Sequence, residues 1–169
     1  NISYGGKMVQ APGKNLNGKA DWYDVGGEAQ DKYVEAQGEF LEKKILEIAE
    51  SRPEVFDKDE KDIIYVITPF KNVAYKLAEK LKKINFTRRD ENDKVTNIGT
   101  VHTFQGKEAE IVFFVLGADS KSTGAAQWAV GNSNPNIMNV AATRAKKEFY
   151  VIGDRKMYKA LQSEVVDIT

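Results

Sequence analysis

Two short segments hold the residues whose types and spacing can do chemistry. Residues 100–108 read TVHTFQGKE, and residues 139–154 read NVAATRAKKEFYVIGD. In the first, the Thr103 hydroxyl can cap a turn or donate to a phosphate. Gly106 lets a backbone approach a ligand closely, because no side chain intervenes. Glu108 carries an acceptor-only carboxylate suited to a ribose hydroxyl. An ordinary polar turn between two strands fits the same residues, and spacing alone does not separate the readings. In the second segment, Arg144 stands at helical spacing from Ile137, Val140 and Ala141, on an apolar stripe. A guanidinium there is costly unless it pairs with an anion or looks out into a cleft. An internal ion pair, or an arginine snorkelling from the helix end, is the other reading.

A third segment, Ile67-Thr68-Pro69-Phe70, ends an apolar run. Pro69 removes a donor and stops the strand, leaving Thr68 to bond a phosphate. Phe70 is placed either to stack on a base or to open the apolar stripe of the next helix. Lys71, Lys76, Lys80, Lys82, Lys83, Arg88 and Arg89 give the following stretch a local positive excess. That excess suits a solvated helix face or a phosphate-tracking surface. One match misleads: Gly13 to Lys19 fits the phosphate-loop spacing, but Ala20 lacks the hydroxyl that would bind magnesium. A strand-like stretch also follows it where a phosphate loop needs a helix.

The elements that must position these residues alternate between helix and strand. Asp21–Val25 reads as a strand, and residues from about Ala29 turn helical through Val34, Leu41, Ile45 and Ile48, stopping before Pro53. The continuous run Ile63–Ile67 suggests a strand covered on both faces. Phe70, Val73, Leu77, Leu81 and Ile84 mark a helix over 71–84. Further strands are expected at Asn97–Val101, Glu110–Leu116 and Glu148–Ile152. A helix near 135–146 is capped by Asn134 and Pro135, and another runs from about Asp154. This alternation predicts an α/β fold with a mostly parallel central sheet flanked by helices. Thr68–Phe70, His102–Lys107 and Gly117–Asp119 are then expected on the shared edge at the strands' C-terminal ends, where such folds bind ligands. Residues 1–28 form a loop-rich opening segment, and 29–169 the body of one domain.

Bulk composition narrows the class. The chain has 169 residues, 41% hydrophobic and 30% charged, with 25 basic and 25 acidic side chains. Zero net charge excludes a global basic field, so any nucleic-acid surface must be local. There is no cysteine and one histidine, which excludes disulfides and leaves no donor set for a structural metal. The longest apolar run, Ile111–Leu116, is far too short to span a membrane. A cytoplasmic protein with no membrane partner is the expectation.

HTFQGKE, NVAATRAK and ITPF resemble motifs V, VI and IV of the superfamily 1 helicases, in the branch containing the nonsense-mediated-decay helicase. The resemblance covers most of the chain and implies the second RecA-like motor domain, a three-layer fold. It implies that His102 and Thr103, with Thr68, Pro69 and Phe70, face nucleic acid. Gln105, Gly106 and Glu108 would face the ATP cleft. Arg144 would be the catalytic finger reaching the γ-phosphate. Asn139 and Thr143, one turn apart, would bridge the two sites. Such a domain serves ATP and Mg2+ held mainly by an N-terminal RecA-like domain, and single-stranded DNA or RNA. It would be inactive alone. A non-catalytic nucleic-acid-binding or docking module of the same fold is the alternative.

Overall fold

The computed structural model describes residues 19–57, 62–117 and 137–156. The Asn134–Pro135 helix start, Asp119, residues 13–18 and the body of the helix expected from Asp154 lie outside them. In chain order the first elements are β1 (Ala20–Asp24), β2 (Ala29–Gln30), β3 (Tyr33–Val34), α1 (Glu35–Ser51) and β4 (Ile64–Ile67). They are followed by α2 (Lys71–Lys82), β5 (Ile98–Gly99), β6 (Ala109–Val115), α3 (Ile137–Ala142) and β7 (Ala145–Gly153). Short 3-10 turns occupy Pro53–Phe56 and Val101–Phe104.

Five strands form one parallel sheet in the order β1-β7-β6-β4-β5. This is the expected RecA-like α/β architecture. All four residues of β4 and the last five of β6 are buried. An unbroken β-branched run therefore reads as a strand covered on both faces. The chain steps one way across the sheet from β1 to β4 to β5, then back from β6 to β7. Right-handed crossovers put α1 and α2, which pack together, on one face, and α3 on the other. On the α1 face a row of rings fills the core: Phe40 packs on Tyr23, Tyr23 on Tyr150 and Tyr150 on Phe113.

The reversal of direction falls between β4 and β6, whose C-terminal ends lie side by side. Open α/β sheets bind ligands in the crevice at such a switch point. Gln37, 1% exposed, braces this region from α1. Its amide donates to Val25 O at 2.9 Å, and its carbonyl accepts from Gly117 N at 2.9 Å. One side chain thus ties the ends of β1 and β6.

Three boundaries depart from the sequence reading. The first helix starts at Glu35, because Ala29–Gln30 and Tyr33–Val34 pair as a small antiparallel hairpin. Its two connecting residues contain neither glycine nor asparagine, so the usual turn signal is missing. The helix before the last strand ends at Ala142, and β7 begins three residues earlier than expected, at Ala145. The Asn97–Val101 strand shrinks to Ile98–Gly99, since the chain coils into a 3-10 turn at Val101.

Candidate functional site

The segment 100–108 does not stay on one edge of the sheet. It leaves β5 at the C-terminal edge and coils through Val101–Phe104. It must then enter β6 at Ala109, the opposite, N-terminal edge. Phe104 anchors the middle: it is 0% exposed, with its ring 4.4 Å from that of Tyr65. The expectation of one shared edge is therefore corrected. Thr68–Phe70 and His102 lie at one edge, while Glu108 has crossed to the other.

At the C-terminal edge lies a groove of about 660 Å³, lined by Pro69, Phe70, Lys71, Thr100, Val101 and His102 among others. β4 delivers Pro69 and Phe70, and the N-terminus of α2 follows at once. No side chain caps that terminus, so its first backbone N–H groups have no capping partner and favour an anion. Phe70 is buried at 7% exposure, as its core reading expects, and also lines this groove. His102 is exposed. Thr68 differs from expectation: it is 0% exposed, and its hydroxyl has no hydrogen-bond partner among the described residues. Thr68, the residue just past β4, is thus buried, and its side chain is not presented at the surface.

Thr103 turns back over β5. A Cβ on Gly99 would lie 2.3 Å from the Thr103 hydroxyl, so only glycine leaves room for it. Thr103 is half-buried, against the expectation of an outward-facing hydroxyl.

At the N-terminal edge the entries to β6 and β7 are joined. Ala109 N donates to Arg144 O at 2.9 Å, and Arg144 N donates to Ala141 O at 3.0 Å. Arg144 thus sits on the turn between α3 and β7, not on a helical stripe, with its backbone held from both sides. Its side chain is half-buried, forms no ion pair among the described residues, and its Nε is a buried donor without a partner. A buried unpaired donor on a charged group is unfavourable. Among the described residues the guanidinium is therefore not saturated by an internal ion pair. Glu108, exposed, lines a groove of about 1070 Å³ on this edge with Ala109, Glu110 and Lys146. Gln105 is exposed too. Gly106 has φ +76°, and an added Cβ would meet nothing within 4 Å. Its backbone is open to a visitor in a conformation that disfavours a side chain.

Asn139 is half-buried with its Oδ1 lacking a partner. The Thr143 hydroxyl donates to Val140 O at 2.6 Å, closing its own helix end. Burial pushes the Tyr33, Tyr65 and Tyr150 phenols up, so none serves as a base near neutrality. Among the described residues no cluster of three or more His, Asp or Glu side chains could hold a metal ion. None of their helices is long and apolar enough to cross a membrane. β1 follows directly on Lys19, so the phosphate-loop match at Gly13 to Lys19 lacks the helix it would need.

A family described as an AAA domain matches residues 13–156. No curated protein matches the chain. Among solved structures, the chain is similar to the C-terminal domain of a possible DNA helicase from Lactobacillus plantarum WCFS1. The two share 10% identity at a TM-score of 0.49, over 86% of this chain and 81% of that one.

Proposed function

The chain belongs to the AAA domain family, and from that premise we propose that it is the C-terminal motor domain of a superfamily 1 helicase, supplying the trigger and part of the grip of an ATP-driven translocase. The N-terminal edge is the nucleotide side, where Gln105, Gly106 and Glu108 receive the nucleotide. Arg144 stabilises charge developing on the transferred phosphoryl group. The C-terminal edge is the strand side, where Pro69, Phe70, Lys71 and His102 hold single-stranded DNA or RNA mainly through phosphates. Asn139, on the helix that leads to Arg144, lies between the two assignments. Thr68 and Thr103 support the groove from within rather than touching the strand.

One observation carries this reading: the Arg144 guanidinium has a buried, unpartnered Nε on a backbone pinned at both ends. The described residues offer no metal-binding cluster, so no step is drawn through Mg2+ on this domain. ATP supplies the bond whose cleavage drives motion. What these residues do is bind it, orient it and neutralise charge. The phosphate loop and magnesium ligands belong to an N-terminal RecA-like domain.

In the full-length enzyme, Arg144→Ala should lower kcat by about 10³ while leaving strand affinity within about twofold. An unchanged kcat removes the finger. The domain alone should show no magnesium-dependent ATP hydrolysis above background in a phosphate-release assay. Turnover by the isolated domain would instead favour a self-contained NTPase.

A further inference from the structure

We propose that the β2–β3 hairpin tip is a working wall of the strand groove, with Lys32 donating to a nucleic-acid phosphate at its mouth. This rests on the reading of the C-terminal-edge groove as the strand side. Sequence patterning did not single the tip out, because Asp31-Lys32 looks like helix rather than turn.

Three observations converge on it. First, both tip residues carry positive φ, 55° at Asp31 and 73° at Lys32. A two-residue hairpin needs that geometry, and Asn-Gly or Asp-Gly normally provides it. Aspartate tolerates it, but lysine is disfavoured there. Strain of this kind in a folded protein points to a use for the side chain.

Second, the tip is clamped over the switch point. The Asn72 amide donates to Asp31 O. Beneath it Gly117, itself at φ +65°, leaves so little room that a Cβ would lie 2.7 Å from Lys32 O. A tip held from α2 and from the end of β6 is set in place before any ligand arrives.

Third, the tip faces the groove with the right charge. Asp31 and Lys32 line it together with Phe70, Lys71 and His102, and Lys32 Nζ stands 5.6 Å from the Phe70 ring centroid. Two lysines, a histidine and the uncapped N-terminus of α2 outweigh one aspartate. The chemistry suits a phosphate beside a flat apolar surface, which is what one nucleotide of a single strand presents.

Fluorescence anisotropy of labelled oligo-dT and oligo-U on the full-length protein, titrated between about 50 and 200 mM salt, tests this. Lys32→Gly relieves the backbone and removes the cation. It should leave the melting temperature equal or higher, yet weaken binding roughly 3- to 10-fold and make the log–log salt slope shallower by about 0.7. Lys32→Arg should keep the wild-type slope. Wild-type affinity and slope in Lys32→Gly would show that the lysine serves only to cover Phe70, and the proposal falls while the strand groove stands. No binding of either oligonucleotide by the wild-type protein would overturn the strand-side reading itself, and this inference with it.

Discussion

Two arginines in this chain meet opposite fates. Arg88, in the charged segment after α2, is saturated. Its guanidinium donates to Asp62 at 2.8 Å and to the carbonyls of Val55 and Asp57, and its backbone N–H donates to the Asn97 side chain. Arg144, on the turn into β7, has a buried Nε with no partner among the described residues. Both are held by short, well-packed connections, and both carry the same charge. What separates them is whether the surroundings finish the job. A guanidinium completed by its own fold is a staple that ties the 52–57 turn to the strand edge. Arg144 is left incomplete. Buried polar groups in folded proteins are nearly always satisfied, so its open Nε is the observation that supports the proposed finger role.

That contrast can be broken or sharpened by experiment. The largest expected effect is the roughly 10³-fold loss of turnover in Arg144→Ala, with stability unchanged to within about 0.5 kcal/mol. A variant that melts early would place Arg144 with the staples. Next, Arg88→Ala should destabilise the domain by about 3 kcal/mol in urea titrations, because it strands Asp62 and two carbonyls. Its per-molecule turnover should stay near wild type once corrected for folded fraction. A stable Arg88→Ala with lost activity would reverse the two roles.

The smallest effect concerns Glu110, whose carboxyl accepts two bonds from Arg52 at 3.1 Å each and faces Lys147 at 3.5 Å. The Arg52 bonds hold that carboxyl below its ordinary value of 4.5. A depressed folded-state value means the stabilisation is present above about 4.5 and is lost as pH falls through the lower, folded value. The pair is 33% and 29% exposed, so it contributes no more than about 1 kcal/mol. Glu110→Gln should therefore melt slightly below wild type at neutral pH, and the two curves should merge in acid. A gap that persists after the carboxyl has been protonated in acid would show that charge is not the source.

Much of this was legible in the sequence, and the misses have physical causes. The runs Ile63–Ile67 and Ile111–Leu116 announced buried parallel strands because a strand covered on both faces needs no polar side. Phe70 is buried as its core reading expects, and it also lines the groove. The sequence reading put Arg144 on a helical stripe and the 102–108 segment on one edge, and it missed both the turn at Arg144 and the crossing of the sheet between His102 and Glu108. A short strand such as Ile98–Gly99 leaves too faint a period to say where the edge lies. Thr68 was expected to bond a phosphate, and burial just past the end of β4 takes its hydroxyl from the surface. Gln37 and Lys32 carried no local signal. Each meets a partner far off in the chain, and that distance is invisible to patterning. The positive excess over 71–89 is partly neutralised, as its solvated-face reading allows: Lys80 pairs with Glu35 at 2.9 Å and Arg89 with Glu79 at 3.6 Å.

The order of strands has one further effect. β1 pairs with β7, from Ala20 beside Phe149 to Asp24 beside Gly153, and lies at the sheet's end. During synthesis β1 must therefore wait for β7 before it finds its neighbour in the sheet. A ribosome that stalls short of Ala145 releases a sheet missing two strands rather than one, with the flank of β6 uncovered.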